Sequence, residues 1–255
     1  MDIDFAKALR CAELSQQIYK DDSSELFDGF ETDSKPLHDA KTDTQCAVLF
    51  DRDRAIVVFR GSERKVVDWQ TNFDTSQERA SFDREVIDKE IVDADCLEQT
   101  YPYGESSSSN SKMHGGFVNA YFSVREQIHQ LVRDRDLDRI TTTGHSLGGA
   151  LATLCAVDLQ YNFSEKVTQI EAYTYGSPRV GNEGFRSSFN QRVPNSYRFV
   201  HGMDIVPALP RWWQGQYRHV DREYRIGDRF RWNLFAGRFK DHAIGKYIEM
   251  LEKYV

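Results

Sequence analysis

One serine in the sequence lies where its hydroxyl could act as a nucleophile. Residues 144–149 read Gly-His-Ser-Leu-Gly-Gly, between a β-branched run that favours a strand and an Ala/Leu-rich segment that favours a helix. Glycines at such a junction let the chain turn tightly and hold Ser146 in a strained backbone conformation. The N-terminus of the following helix offers free N–H groups to a developing negative charge. The pattern therefore predicts that Ser146 is a nucleophile.

A serine nucleophile needs a base to take its proton and a carboxylate to orient that base. On a strand–turn–helix motif of this kind, both partners follow the serine in the chain. Of the three histidines that follow, His242 is favoured because it stands at a predicted loop-to-helix junction, whereas His201 and His219 lie in or next to predicted strands. Asp204 comes directly after a predicted strand. The sequence thus predicts Asp204 as the acid and His242 as the base.

Two backbone donors are expected to hold the oxyanion that forms when the serine attacks a carbonyl. One is the N–H of Leu147, the residue after the nucleophile. The other is predicted at Ser62, at the end of the predicted strand 55–62. The preceding glycine, Gly61, permits a close approach of the backbone to the oxyanion. Each such donor is typically worth about 3 kcal/mol in the transition state.

The elements around these residues alternate between strand and helix. Predicted strands cover 45–50, 55–62, 139–143, 169–177, 196–202 and 224–226, with amphipathic helices between them and at both ends of the sequence. This alternation predicts an α/β fold with a mostly parallel central sheet and helices on both faces. Ligands of such sheets bind beyond the carboxyl ends of the strands, where Ser146 is expected. With no evident linker, a single domain over residues 1–255 is predicted.

Two segments between the strands have distinct compositions. Residues 63–73 place Val66, Trp69 and Phe73 on one face of a short helix. Residues 101–112 are rich in serine and are predicted to form a mobile surface loop.

Composition excludes several functional classes. The net charge of −7 argues against nucleic-acid binding, and no apolar run approaches the roughly 20 residues of a transmembrane helix. The first 20 residues do not resemble a secretory signal, so a cytoplasmic location is predicted, with leaderless export or peripheral membrane association left open. The four cysteines are then expected to be reduced thiols, and no spacing indicates a metal site. Oligomeric state is not indicated.

Six separated segments together resemble the class 3 (fungal-type) lipase family of the α/β-hydrolase fold. They occur in the family's order and cover most of the chain: VVFRGS (57–62), HGGF (114–117), TGHSLGGALA (143–152), YTYGSPRVGN (173–182), VHGMDIVPALP (200–210) and DHAIGKY (241–247). The resemblance implies the same triad of Ser146, Asp204 and His242. It also implies that residues 63–73 form a lid over the active site.

The resemblance implies a carboxylic ester hydrolase that cleaves acyl esters of lipids through an acyl-enzyme. Such a triacylglycerol lipase or lipid esterase needs no metal and no organic cofactor, and it meets its substrate at a lipid–water interface. Ser62 and Leu147 would hold the oxyanion, and the apolar side chains of Val66, Trp69 and Phe73 would face lipid. Two alternatives remain open on the same fold: an esterase for non-lipid substrates such as feruloyl esters, and a catalytically silent lipase-like interaction module.

Overall fold

The computed structural model describes residues 3–20, 27, 30, 33–61, 99–100, 111–210, 216–220, 222–228 and 240–255. The predicted lid at 63–73, with Val66, Trp69 and Phe73, lies outside the described residues, as does nearly all of the predicted loop at 101–112. Within the described ranges, no helix combines the length and apolar character needed to cross a bilayer.

The centre of the described structure is a twisted sheet of seven strands. Their bounds are β1 Ser34–Asp39, β2 Thr44–Asp51, β3 Arg54–Phe59, β6 Arg139–His145, β7 Gln169–Tyr175, β8 Asn195–His201 and β9 Glu223–Ile226. The spatial order is β1-β2-β3-β6-β7-β8-β9, and every pair from β3 to β9 is parallel. The pairs β1–β2 and β2–β3 are antiparallel. A separate two-stranded ribbon joins β4 Gln99–Thr100 to β5 Lys112–Met113.

Helices cover both faces of this sheet. Their bounds are α1 Phe5–Gln17, α2 Gly115–Arg133, α3 Leu147–Phe163, α4 Glu183–Arg192 and α5 Ile244–Leu251, with 3₁₀ turns at Val206–Ala208 and Glu252–Tyr254. Helices α1 and α5 pack over aromatic residues of β7 and β8 in one apolar cluster. Helices α2, α3 and α4 pack in the larger cluster on the opposite face. The predicted α/β fold with a mostly parallel sheet is therefore confirmed.

The parallel strands are buried along nearly their whole length because helices lie on both sides of them. Strands β6, β7 and β8 each leave only their first residue partly exposed. This burial of successive residues differs from the alternation of a half-exposed strand, and it includes the charged residues Glu171 and Arg198. All three end at the same edge of the sheet, so the residues that follow them lie near one another.

A buried polar network joins α2 to α3 on the larger face. The Asp158 carboxylate accepts hydrogen bonds from the Tyr121 hydroxyl (2.6 Å) and from the Arg125 guanidinium (2.9 and 3.1 Å), and His129 Nε2 lies 2.6 Å away. Burial by itself would raise the pKa of Asp158, but the bonds from His129, Arg125 and Tyr121 outweigh it and lower the pKa to about 2. The carboxylate is therefore charged, and it fixes helix α3 against helix α2.

Candidate active site

Ser146 is the single residue between β6 and α3, and few residues adopt its backbone conformation. Its φ of 57° and ψ of −128° lie in a sparsely populated region that favours glycine. The turn is tight enough that a Cβ atom at Gly144 would lie 2.3 Å from the carbonyl oxygen of Gly148. A Cβ atom at Gly148 would lie 2.3 Å from the carbonyl oxygen of Phe59 in β3. Glycines at both positions let α3 start directly over the sheet, and this geometry projects the Ser146 side chain past the strand ends.

A continuous chain of hydrogen bonds links the three residues that the sequence predicts as a triad. His242 Nε2 lies 2.8 Å from Ser146 Oγ, and His242 Nδ1 lies 2.8 Å from Asp204 Oδ2. Asp204 comes from the loop after β8, and His242 comes from the loop before α5. The Asp204 side chain is fully buried, and His242 is 1% exposed. The structure therefore brings the three predicted residues together, with the imidazole placed to take the serine proton and the carboxylate placed to hold the imidazole.

The Asp204 carboxylate has two further hydrogen-bond donors, which the sequence analysis did not identify. Its Oδ1 accepts the backbone N–H of Val206 at 2.9 Å, and its Oδ2 accepts the hydroxyl of Tyr247 at 2.5 Å. Burial, together with the neighbouring Asp204 carboxylate, raises the pKa of Tyr247 well above 10. Tyr247 therefore remains a protonated donor, and with Val206 it orients the carboxylate toward His242.

The loop that carries Asp204 is also held by the residue next to His242. Asp241 Oδ2 accepts the backbone N–H of Met203 at 2.8 Å, and the backbone carbonyl of Asp241 lies 3.1 Å from His201 Nδ1. Asp241 and His242 of one loop thus contact Met203 and Asp204 of the other. This pairing fixes the distance between the acid and the base.

Gly176 provides the space in which the Asp204–His242 hydrogen bond forms. Its φ is +58°, and a Cβ atom there would lie 2.7 Å from Asp204 Oδ2 and 2.9 Å from His242 Nδ1. In the sequence, Gly176 is part of the segment 173–182 that resembles the family, and no role is predicted for it. Gly176 directly follows β7, and β7 lies between β6 and β8, which lead to Ser146 and Asp204. This position at the end of a parallel strand was the signal that could have identified Gly176 as a site residue.

We predict that Gly176→Ala lowers kcat about 100-fold, because the methyl group displaces the carboxylate or the imidazole by roughly 1 Å. The measurement is kcat per active site, with the site concentration determined by titration. Gly245→Ala is the matched control, because a Cβ atom there meets nothing nearer than 3.7 Å and Gly245 lies within helix α5. A Gly176→Ala protein as active as the Gly245→Ala control would contradict this account of the site.

The two predicted oxyanion residues differ in what the structure describes. Leu147 is the first residue of α3, so its backbone N–H has no carbonyl partner within the helix and is free to meet an anion. Ser62 lies outside the described residues. Gly61, the residue before it, lies beside the elbow, since a Cβ atom at Gly61 would be 2.7 Å from the carbonyl oxygen of His145. The chain that leaves β3 therefore passes beside the turn that carries Ser146.

Across the ranges that the structure describes, no group of three or more His, Cys, Asp or Glu side chains is arranged to hold a metal ion. Cys11, Cys46 and Cys155 are free and buried in the same ranges. Burial raises the pKa of the Cys11 thiol to about 12, so this thiol stays protonated.

Comparison with known proteins identifies the family. A sequence model described as Lipase (class 3) matches residues 56–213, which is more than half of the chain. The chain belongs to the class 3 lipase family. The matched residues of this class 3 lipase include the elbow and Asp204, and the expected family resemblance is confirmed.

Relatives of this class 3 lipase share parts of its sequence and its fold. A secreted mono- and diacylglycerol lipase of Fusarium solani is 40% identical over 116 residues, covering 44% of this chain and 33% of its own. A phospholipase A1-II of Oryza sativa is 32% identical over 177 residues, covering 67% of this chain and 42% of its own. The chain thus spans less than half the length of these two curated relatives. The structure of Rhizomucor miehei triacylglyceride lipase is 26% identical with a TM-score of 0.66, covering 88% of this chain and 80% of that one.

The predicted cytoplasmic location is wrong. That prediction used only the composition of the first 20 residues. The mono- and diacylglycerol lipase of Fusarium solani, 40% identical over the matched region, is named as a secreted enzyme. The relative's name therefore overturns an inference that composition alone could not support.

Proposed function

We propose that this class 3 lipase is a serine carboxylester hydrolase that cleaves acyl esters of lipids. The observation that carries the proposal is the unbroken hydrogen-bond chain from Ser146 Oγ through His242 to Asp204, with Ser146 in a strained turn at a helix N-terminus. In this arrangement Ser146 is the nucleophile, His242 is the general base and Asp204 orients the imidazole. The proposed oxyanion donors are the backbone N–H groups of Leu147 and Ser62.

The reaction follows from these positions in two halves. Ser146 Oγ forms a bond to the ester carbonyl carbon while His242 Nε2 takes the hydroxyl proton. The tetrahedral intermediate then expels the alcohol, which receives that proton from His242, and an acyl-serine remains. Water attacks the acyl-serine with His242 again as base, and the carboxylic acid leaves as Ser146 Oγ recovers the proton. The Asp204 carboxylate orients the imidazole and stabilises the imidazolium in both halves.

Lipid esters are the proposed substrates because the relatives act on them. Among those compared, one is named a mono- and diacylglycerol lipase, one a phospholipase A1 and one a triacylglyceride lipase. We propose acylglycerols at a lipid–water interface as the first class to test. In keeping with the secreted relative, the proposed place of action is outside the cell.

The geometry of the site argues against a silent interaction module but does not separate a lipase from a non-lipid esterase. A catalytically silent interaction module has no need of a strained serine in hydrogen-bond contact with a buried histidine and aspartate, so this geometry favours an enzyme. A non-lipid esterase would use the same three residues. Substrate preference separates it from a lipase.

The test is hydrolysis of p-nitrophenyl esters from acetate to palmitate, followed by emulsified triacylglycerol, diacylglycerol and phospholipid. We expect activity with long acyl chains and with at least one emulsified lipid. The same protein inactivated with a p-nitrophenyl alkylphosphonate serves as the blank, and mass spectrometry should find the phosphonate on the peptide that contains Ser146. Activity confined to acetate or to feruloyl esters would overturn the lipid assignment. No hydrolysis and no phosphonate adduct would overturn the enzyme.

A further inference from the structure

The side chain of His145 lies directly against the proposed catalytic histidine. His145 ends β6 and immediately precedes Ser146, and it is fully buried. Its ring centroid is 4.5 Å from that of His242, with the two planes inclined by 34°. One face of the His242 imidazole therefore rests on His145.

The hydrogen bonds of His145 determine which of its nitrogens carries the proton. Its Nε2 lies 2.7 Å from the backbone carbonyl oxygen of His242, and a carbonyl oxygen can only accept, so Nε2–H donates. Its Nδ1 lies 3.0 Å from the hydroxyl of Tyr19, which must then be the donor to the unprotonated nitrogen. Both ring nitrogens are satisfied only in this tautomer of the neutral ring.

The neutral state of His145 matters because His242 must become positively charged during acyl transfer. Burial, and next the neighbouring His242 ring, lower the pKa of His145 well below 6.5. A charged His145 at 4.5 Å would oppose protonation of His242. The neutral ring instead donates to the His242 backbone and places no positive charge beside the imidazole that accepts the serine proton.

Tyr19 also contacts the chain that leads to the predicted oxyanion residue. A Cβ atom at Gly61 would lie 2.2 Å from the Tyr19 hydroxyl oxygen, so this oxygen packs directly on the backbone of Gly61. Gly61 immediately precedes Ser62. One hydroxyl just after helix α1 therefore touches both His145 and the segment that leads to Ser62.

We propose that Tyr19 and His145 are positioning residues for the ester hydrolysis proposed above, with the Tyr19 hydroxyl holding the His145 ring and His145 Nε2–H holding the backbone of His242. This inference rests on the proposed function. Neither side chain touches the substrate carbonyl; both act by fixing the location of His242 relative to Ser146. Their loss should therefore slow the attack by Ser146 and should have little effect on how substrate binds.

The experiment uses the full chain and a p-nitrophenyl alkylphosphonate as the probe. Ser146 Oγ forms a bond to phosphorus, its proton passes to His242, and p-nitrophenolate leaves, so the burst amplitude counts active sites and the burst rate measures nucleophilic attack. Three variants test the inference: Tyr19→Phe, which removes the donor to Nδ1, His145→Leu, which removes the donor to His242, and His145→Gln, which restores an N–H near the position of Nε2. Tyr121→Phe is the matched control, since it removes a buried hydroxyl bonded to Asp158 on the other face of the sheet.

We expect the rate per active site to fall about tenfold in Tyr19→Phe and about 100-fold in His145→Leu, as for a misplacement of roughly 1 Å. His145→Gln should recover part of the loss. Tyr19→Phe should cost nothing further in the His145→Leu background, because the two residues act in series. In ester hydrolysis the same variants should lower kcat with KM nearly unchanged, and Tyr121→Phe should lower neither kcat nor the burst rate.

Two outcomes would overturn the inference about Tyr19 and His145, and a third would also overturn the proposed function. Unchanged burst rates with lowered amplitudes would mean that Tyr19 and His145 serve only folding. Independent, additive losses in the double variant would mean that they do not act in series. A wild-type protein that does not react with the phosphonate would overturn the proposed function itself, and this inference with it.

Discussion

Replacing Ser146 with alanine is expected to lower kcat for ester hydrolysis about 10⁶-fold, the scale on which a hydrolase triad loses activity without its serine. His242 and Asp204 stay in place in this variant, but no hydroxyl remains for the imidazole to activate. Substrate should still bind, because the substitution leaves the backbone N–H of Leu147 unchanged.

The fold of Ser146→Ala should be as stable as that of the wild type. Alanine at φ 57° pays the same backbone cost as serine, since both carry a Cβ atom. The measurements are kcat with a p-nitrophenyl ester, the phosphonate burst and Tm on the same preparations. Residual activity above one thousandth of the wild-type value, found again in an independent preparation, would count against Ser146 as the nucleophile.

Replacing Asp204 with asparagine is expected to lower kcat about 10⁴-fold, as in other triads whose carboxylate is made neutral. Three donors converge on the two carboxylate oxygens: His242 Nδ1–H, the Tyr247 hydroxyl and the Val206 N–H. In either orientation an amide NH₂ faces at least one of them, donor against donor. The amide also lacks the negative charge that stabilises the protonated His242.

Asp158→Asn is the matched control for Asp204→Asn. It also neutralises a fully buried aspartate with several donors, but Asp158 lies between α2 and α3, away from His242. This control should lose about 3 kcal/mol of stability, because Arg125 would keep a partly buried charge without its partner. Its kcat per titrated site should match the wild type. If both variants lost activity in proportion to their Tm, the role proposed for Asp204 would be reduced to folding.

The main elements could be predicted from the sequence because their signals are local. β-branched runs and amphipathic spacing identified the parallel strands and the helices between them. The edge strand β1 was not predicted, because none of its residues is buried and it contains Pro36, a residue depleted in strands and tolerated at their edges. An edge strand of this kind is specified by its pairing with β2 and carries no apolar pattern of its own.

The site could be predicted in part, for a similar reason. Chain order and strand ends were enough to select Asp204 and His242 from several candidates, although their roles stay predictions. Tyr247 lies in a predicted amphipathic helix with no predicted role in the site, because its bond to Asp204 spans 43 residues of sequence. Gly176 was grouped with a motif without a role, because the space it leaves exists only once β6, β7 and β8 lie side by side. Pairings of this length are set by tertiary packing.

The strained turn at Ser146 has an evolutionary consequence. A residue with a Cβ atom in this conformation costs the fold about 1–3 kcal/mol, a cost that glycine does not share. In a descendant that no longer needed catalysis, mutation to glycine would raise stability, and drift would remove the serine. Selection for stability alone would thus favour glycine over serine at this turn.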